Sequence, residues 1–538
     1  MQERFISLIY PTEESRNFHS DRLNLPDISE AVCDELGLTE IFNLKNSSLT
    51  DFFTADSEVI LYRQKTVSDL LEIPEIKETL AKAHPILDDI QQLRRLDSEQ
   101  SSSGDSYLYS ITEIELYVSC IDLLCRGLVP VRDRMKSEAF ANLTDFISEL
   151  SSSDYYKELN EKLDKLASRV HEVKSITVGV NLDNQLRPSS AGVISINSEP
   201  FKSGKVLDKI LRLSFKNDAF TCIAELSPFG KGQSDNKKEA LIGAFNGAIE
   251  EVFRSSVKGW RNIVGEYVLD NTDFLLRMLP EIEFVSRAAD LIKTLSEHPG
   301  CSVCMPVVIP IEEKVFDAHE IYNPRVALAI DDKIITNEFS FDENARIYVL
   351  TGPNRGGKSV ITVAVGASQA MMQLGLPVPA SSASISPVRG IYTHFPEGAD
   401  DTIDKGRLGE ECARLKEIFD SADSDSMILL DESLSSTGAY EASYIASEIL
   451  AGFAAMRVRG IFSTHLHDLA SGVTDINERS LAHGGVKIDT LVAGMEEGER
   501  SFKIHRMKPD GKSYARDIAD KYGLSFDNLI GKNGGDAK

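Results

Sequence analysis

A glycine-rich stretch in the second half of the chain has the residue types and spacing of a polyphosphate-binding loop. Residues 352–359 read GPNRGGKS and fit the pattern G-x-x-x-x-G-K-[ST]. An apolar, β-prone run, Ile347 to Leu350, precedes the stretch, and a pattern of small residues typical of a helix follows from Val360. Strand, loop and helix are the context that this motif requires, so a purely structural glycine turn is the weaker interpretation.

Each residue type in the loop has a part in binding an anion. Glycines allow backbone N–H groups to curl around phosphates, and the N-terminus of the following helix adds its positive end. Lys358 supplies a mobile positive charge for the β- and γ-phosphates, and the Ser359 hydroxyl is free to hold Mg²⁺. The predicted nucleotide-binding residues are therefore Gly352, Pro353, Asn354, Arg355, Gly356, Gly357, Lys358, Ser359 and Val360.

Two later strands end in polar groups that complete such a site. The apolar run Met427 to Leu430 ends in Asp431, suited to hold Mg²⁺ through water, and Glu432, suited to orient and deprotonate an attacking water. Another apolar run, Gly460 to Ser463, ends in a threonine and His465, whose imidazole is placed to sense a γ-phosphate. Taken alone, the position of His465 favours a hydrogen-bonded loop residue, but as the third polar group at a strand end in one domain it is predicted to belong to the site.

Four stretches carry a resemblance to the MutS group of ATPases. The Pro-Asn pair in TGPNRGGKSV resembles the phosphate loop of that group, and DESLSSTGAYEAS, residues 431–443, is similar to its strand-end carboxylates. STHLHDL, residues 463–469, resembles its histidine switch, and GKSYARDIADKYGL, residues 511–524, its C-terminal segment. The resemblance implies ATP and Mg²⁺ as cofactors, Asn354 as a residue that places the attacking water, and Lys358, Glu432 and His465 as catalytic residues.

The resemblance also implies an architecture. We expect an α/β P-loop ATPase head of the ABC type, with a mostly parallel sheet flanked by helices, joined to a long helical lever that carries a small β-containing clamp. The predicted boundaries are residues 1–170 and 236–302 for the two halves of the lever and 171–235 for the clamp. Residues 303–538 are predicted to form the ATPase domain with a C-terminal helical dimerisation segment. Because the lever begins so early, we expect no mismatch-recognition domain.

Local patterns refine this outline. Apolar residues at helical spacing predict helices over Ile28 to Phe42 and Asp56 to Lys82, and Pro74 should divide the second of these. From residue 175 the period changes, and two β-rich runs, Ile176 to Leu182 and Gly192 to Ile196, predict a pair of strands.

Charge gives a mixed indication about nucleic acid. The net charge of −26 over 538 residues opposes binding to DNA by the chain as a whole. Residues 171–240 nevertheless hold ten Lys and Arg residues against eight Asp and Glu residues. In the clamp interpretation the basic residues of this window approach DNA phosphates, and in the alternative they belong to a solvated loop. The candidates are Lys202, Lys205, Lys209, Arg212 and Lys216.

One part of the chain departs from the family pattern. In residues 399–419 Leu408 and Gly409 stand where the resemblance leads one to expect Ser and Thr in the loop that reaches the ATP of the other subunit. Hydrolysis completed in trans is therefore in doubt, although Lys405 or Arg407 could contact the phosphates of a partner. Tyr322, before Asn323 and Pro324, either borders the adenine or is a core aromatic.

Composition bounds the remaining possibilities. Hydrophobic residues make up 42% of the chain and charged residues 26%, as in ordinary globular proteins, and no apolar run is long enough to predict a membrane span. The first residues lack the order of an export signal, and seven scattered cysteines favour reduced thiols, so we expect a cytoplasmic protein. The resulting hypothesis is an ATP-hydrolysing MutS-type protein that acts as a homodimer on double-stranded DNA, mismatched or branched. The alternative is an ATP-gated protein-interaction module that binds no DNA.

Overall fold

The computed structural model describes two compact units of the chain. It covers residues 5–100, 107–171, 175–182, 184–185, 188–197, 199, 202–203, 221–222, 273–343, 345–353, 355–395, 407–496, 499–508, 522–524 and 529. Unit 1 comprises Met1–Glu72, Lys136–Phe140 and Glu283–Lys538, and unit 2 comprises Ile73–Met135 and Ala141–Ile282. Among the described helices, none has the length and apolar character needed to cross a membrane.

Short helices open unit 1, and two of them begin at a residue whose side chain caps the helix. They are α1 (Glu13–Ser20), α2 (Glu30–Glu35), α3 (Leu38–Phe42) and the longer α4 (Ser57–Glu72). The hydroxyls of Thr12 and Ser29 accept hydrogen bonds from backbone N–H groups in the first turns of α1 and α2. The helical spacing from Ile28 to Phe42 corresponds to two helices, α2 and α3, and not to one continuous helix. Gly37, with φ of 73°, lies in the left-handed region between α2 and α3 and turns the chain there.

Unit 2 is built mainly on long helices. The elements in this part of the chain are α5 (Pro74–Gln100), α6 (Tyr107–Leu128), α7 (Glu138–Ser152), α8 (Asp154–His171) and α9 (Asp273–Arg277). Pro74 is the first residue of α5, where its missing N–H costs nothing, and the predicted division from α4 is confirmed. Helices α5 and α6 cross closely at Gly127, because an added Cβ there would lie 2.0 Å from Thr79 Oγ1. Arg94 joins α5 to Glu113 of α6 at 2.8 Å and to Asp273 of α9 at 2.6 Å.

A β-hairpin follows α8. Strands β1 (Ser175–Leu182) and β2 (Pro188–Asn197) pair antiparallel, with Ser175 opposite Asn197 and Gly179 opposite Gly192. The two predicted β-rich runs are therefore confirmed. Two further short strands, β3 (Lys202–Ser203) and β4 (Thr221–Cys222), pair parallel. The arrangement of lever and clamp stays a prediction, as do the domain boundaries.

The larger sheet of unit 1 is mostly parallel, as expected for the α/β class. Its order is β10 (Gly390–His394), β11 (Ser426–Asp431), β12 (Arg459–Ser463), β8 (Ile347–Thr351), β13 (Ile488–Glu496) and β14 (Glu499–Arg506). Only β14 runs antiparallel to its neighbour. A smaller sheet has the order β5 (Val307–Val308), β9 (Ser382–Ile385), β6 (Phe316–Ile321) and β7 (Asn337–Phe341).

Helices cover the larger sheet because its central strands are buried along their whole length. The described helices of this region are α10 (Leu279–Glu297), α11 (Pro324–Ala329), α12 (Lys358–Gln373), α13 (Arg407–Ser421), α14 (Ala439–Met456), α15 (His467–Ser471) and α16 (Val473–Ala482). Helix α12 is buried along most of its length, and the residues in its middle are mostly small. An added Cβ at Gly366 would lie 2.5 Å from Leu429 of β11 and 2.6 Å from Leu36, which follows α2.

Candidate nucleotide site

The glycine-rich loop lies between β8 and α12, as the sequence predicts. Gly352 has φ of 142°, and a Cβ there would lie 2.7 Å from the Cβ of Ala493 in β13, so only glycine fits. Gly357, with φ of 91°, is the residue from which α12 begins. The backbone N–H groups of the first turn of α12 consequently face the loop, which is the arrangement that binds an anion. Asn354 lies outside the described residues.

Lys358 is folded into the loop. Its side chain is only 4% exposed, and its ammonium group donates hydrogen bonds to the carbonyl oxygens of Gly352 and Pro353, both at 3.3 Å. Burial lowers the pKa of this ammonium group, and the nearby charges of Glu432 and Asp431 partly oppose that shift. The partly desolvated Lys358 ammonium group is therefore suited to bind an anion, which would replace the two carbonyl oxygens as its hydrogen-bond partners.

The two carboxylates follow β11 at the same edge of the sheet. Asp431 is 5% exposed, and its Oδ1 has no hydrogen-bond partner among the described residues. Burial raises the pKa of this carboxyl group, and hydrogen bonds from the Ser359 and Ser463 hydroxyls act in the opposite direction. The half-buried Glu432 adopts φ of 47°, and its N–H donates to the carbonyl of Ser463 at 2.8 Å. Hydroxyl and carboxylate oxygens in contact fit Mg²⁺, which prefers oxygen ligands.

Strand β12 lies between the loop strand β8 and the carboxylate strand β11 and ties them together. The hydroxyls of Thr362 in α12 and Ser463 in β12 are hydrogen-bonded at 2.6 Å. The N–H of Thr464 donates to the carbonyl of Leu350 at 2.9 Å, so the chain after β12 stays beside the end of β8. His465 follows at once and is exposed at this edge. The structure thus brings the loop, both carboxylates and His465 to one edge of the sheet.

Two families of known proteins match this chain. Residues 348–523, which contain the site, match the family MutS domain V. Residues 55–298 match the family MutS2 N-terminal domain. The chain is related to the MutS family. The MutS resemblance stated from the four motifs is confirmed by these matches.

Curated MutS-family proteins match over shorter stretches. The chain is 33% identical over 172 residues to the DNA mismatch repair protein MutS of Prochlorococcus marinus (strain MIT 9301), covering 30% of this chain and 19% of that protein. It is 32% identical over 209 residues to the DNA mismatch repair protein MSH6 of Arabidopsis thaliana, covering 36% and 15%. It is 29% identical over 197 residues to the Endonuclease MutS2 of Streptococcus equi subsp. equi (strain 4047), covering 36% and 24%. The matched region spans at most about a quarter of each relative.

The region that departs from the MutS pattern, residues 399–419, is described from the start of α13. Leu408, in the first turn of this helix, is partly buried and packs against the main hydrophobic core of unit 1, which gives a physical reason for an apolar residue there. On the same helix, burial raises the pKa of Glu411, while hydrogen bonds from Ser436 and the backbone of Leu434 oppose the shift. Glu411 therefore holds the loop that follows the two carboxylates. Lys405 lies outside the described residues.

That loop has a second support that sequence reasoning missed. Ser433, next to Glu432, is hydrogen-bonded through its Oγ to His394 Nδ1 at 2.8 Å, and it also donates to the carbonyl of His394 at 3.2 Å. His394 is the last residue of β10, distant in sequence and without a motif. Only the alignment of strand ends in the sheet indicates that it can reach Ser433.

Phe502 of β14 is another residue that no sequence pattern indicated. It adopts φ of 55°, and its ring lies beside the loop: an added Cβ at Gly357 would be 3.5 Å from Phe502 Cδ1. Asn337 holds this backbone, because its Nδ2 donates to the carbonyl of Phe502 at 3.2 Å and its Oδ1 accepts from the N–H of Ile504 at 2.8 Å. The phenyl ring is 41% exposed, so it forms an apolar wall at the mouth of the loop.

The other predicted positions divide between the core and the part of the chain that is not described. Tyr322 is 2% exposed and its N–H donates to the carbonyl of Pro379, so it is a core aromatic rather than an adenine contact. Among the basic residues predicted to contact DNA, Lys202 lies in β3. The other four, Lys205, Lys209, Arg212 and Lys216, lie outside the described residues. The functional roles of all these residues stay predictions.

Proposed function

We propose that this MutS-related chain binds ATP with Mg²⁺ at the glycine-rich loop and hydrolyses it to ADP and phosphate. The observation that carries the proposal is the unpaired, buried Oδ1 of Asp431, which lies in the same group of contacts as the Ser359 hydroxyl and the Lys358 ammonium group. A buried carboxylate oxygen without a partner is costly. A cation bound to this oxygen offsets the cost of burying it, which explains why an unpaired carboxylate oxygen lies here.

In this proposal each side chain has a distinct role. Lys358 leaves the two loop carbonyls and binds the β- and γ-phosphates, while Ser359 and Asp431 hold the metal ion, which neutralises phosphate charge when bound. Glu432 accepts a proton from the attacking water while the water oxygen forms a bond to the γ-phosphorus. The bond from that phosphorus to the ADP oxygen breaks in the same step. Asn354 places the water and His465 contacts the γ-phosphate. Phe502 covers one side of the bound nucleotide.

The further proposal is that ATP turnover controls binding to double-stranded DNA. Two matched relatives have names that include DNA mismatch repair, and the β1–β2 hairpin occupies the segment predicted to be a clamp. We propose a homodimer in which nucleotide binding at residues 303–538 acts through the helices of residues 1–170 and 236–302 on a clamp at 171–235. The net charge of −26 favours one alternative, an ATP-gated module that binds a protein instead.

The proposed DNA coupling predicts an affinity that depends on both nucleotide and salt. The full-length protein should bind homoduplex, mismatched or branched DNA, with an affinity that differs between ATP and ADP and falls steeply as salt rises. Fluorescence anisotropy across a salt series measures both effects. Replacing the five candidate residues of the clamp segment, Lys202, Lys205, Lys209, Arg212 and Lys216, by glutamine should weaken binding and flatten the salt dependence, with ATP affinity as the control. Absence of binding to all three DNAs at low salt would leave the protein-interaction alternative.

The pKa shift of Asp431 predicts opposite effects of one substitution on stability and on metal binding. Because burial raises its pKa, the ionised Asp431 destabilises the nucleotide-free fold at neutral pH, and this penalty disappears as the pH falls through the raised pKa. Asp431→Asn should therefore stabilise the protein by about 1–2 kcal/mol at pH 7.5 in EDTA. The gain should shrink at pH 5, and Mg²⁺-dependent ATP binding should be lost.

Thermal unfolding at the two pH values and calorimetric ATP titration with and without Mg²⁺ measure these effects. Asp332→Asn, at an exposed aspartate, is the matched control and should change neither quantity. Unchanged Mg²⁺ dependence in Asp431→Asn would contradict the assigned metal contact.

A further inference from the structure

Arg355 occupies a conformation that its residue type does not favour. The N–H of Gly356 donates to the carbonyl of Pro353 at 3.0 Å, and Arg355, which directly precedes Gly356, has φ of 60°. That conformation favours glycine or asparagine, because a Cβ crowds the backbone in the left-handed region. The loop nevertheless presents an arginine at its tip.

The guanidinium group of Arg355 is also unengaged. The side chain is exposed, and the structure gives it no ion pair or hydrogen bond within the described part of the chain. Arg506, by contrast, is held by Asp342 at 2.8 Å and by Asp489 at 2.6 Å. Residues with strained backbone conformations cluster at ligand-binding sites, and the exposed guanidinium group of Arg355 is available to bind an anion.

The charge balance of the loop indicates which ligand suits Arg355. Lys358 lies inside the loop and has two carboxylates close enough to influence its pKa, Glu432 and Asp431. Before a metal ion binds, these three groups sum to one net negative charge next to the place where phosphates would bind. Arg355, two residues before Gly357 in the loop itself, adds an exposed positive charge that can offset it. A planar guanidinium binds phosphate oxygens through two parallel hydrogen bonds.

We propose that Arg355 binds the terminal phosphate of a nucleoside triphosphate in the loop of its own chain and makes the site prefer triphosphate over diphosphate. This inference rests on the proposed ATP binding and adds the residue that distinguishes ATP from ADP. Lys358 contacts both nucleotides in this arrangement, whereas Arg355 contacts only the longer one.

The test compares two arginines that share one backbone conformation. Arg457, the residue that ends α14, has φ of 70° and is exposed, but it lies near the start of β12, at the opposite edge of the sheet from the loop. Asparagine tolerates this conformation, so Arg355→Asn and Arg457→Asn should both fold at least as stably as the unaltered protein. The two variants differ only in the position of the positive charge that is removed, which lies at the loop in Arg355→Asn and away from it in Arg457→Asn. Arg355→Lys retains a charge at the loop.

Affinities for ADP and for the non-hydrolysable β,γ-imido analogue of ATP, both with Mg²⁺, are measured by calorimetry on the full-length protein. Arg355→Asn should weaken the analogue about tenfold or more and ADP by about twofold at most, because one charge-assisted contact to the terminal phosphate is lost. Arg355→Lys should keep part of the preference, and Arg457→Asn should keep all of it.

The outcomes separate the two proposals. If the unaltered protein binds both nucleotides and Arg355→Asn leaves their affinity ratio unchanged, the role of Arg355 is wrong while ATP binding stands. An equal loss for both nucleotides also overturns it, because a structural role would produce that result. If the unaltered protein binds neither nucleotide, the proposed function fails, and this inference with it.

Discussion

Glu432→Gln should slow ATP hydrolysis by about 10²- to 10⁴-fold, the usual contribution of a general base, while ATP affinity stays within about threefold. Glutamine has the same shape but cannot accept the proton of the attacking water. The backbone N–H of residue 432 donates to Ser463, and Ser433 is held by His394, so the loop geometry should survive the substitution. A fall in turnover therefore reports on chemistry rather than on folding.

Phosphate release at saturating ATP and calorimetric ATP binding measure the two quantities. Glu417→Gln, at an exposed glutamate of α13, is the matched control and should leave both unchanged. A parallel loss of ATP affinity and turnover in Glu432→Gln would mean that Glu432 serves binding, and normal turnover would remove it from the reaction.

Lys358→Met should reduce ATP affinity by about 100-fold or more, because charge-assisted contacts to two phosphates are lost together. The unliganded protein should be at least as stable as before. Burial lowers the pKa of Lys358, which means that its positive charge opposes folding at neutral pH, and methionine fills a similar space without that charge. This stabilisation should fade as the pH rises, because the lysine then loses its proton.

Thermal unfolding without nucleotide at pH 7 and pH 10, together with ATP titration, checks both statements. Lys487→Met is the matched control: its side chain is exposed just before β13, at the edge of the sheet opposite the loop. Lower stability of Lys358→Met would show that the two carbonyl contacts of Lys358 hold the empty loop together. Unchanged ATP affinity would contradict its proposed role.

The local features of the site were predictable because they depend on neighbouring residues. Gly352 and Gly357 have the positive φ values that the loop pattern requires, and the apolar runs before the loop and before Asp431 are buried strands. The MutS resemblance also rests on contiguous motifs, and the family matches confirm it.

Local patterns failed where a single residue or a contact from elsewhere decided the outcome. The helical spacing from Ile28 to Phe42 concealed a break, because Gly37 takes a left-handed conformation that apolar spacing does not reveal. The sequence left two possible environments for Tyr322, the adenine site and the core. The burial of its side chain in the core is evident only from the packing of the folded unit.

Short-range spacing and residue type are sufficient to predict the phosphate loop, its strand and helix, and the carboxylates that follow a buried strand. The contact of Ser359 with Asp431, the support of Ser433 by His394 and the position of Phe502 beside Gly357 become visible only in the folded unit. Each of these contacts joins residues far apart in the chain through the order of strands in the sheet. Strand order is set by the packing of the whole unit, so it leaves no local pattern in the sequence.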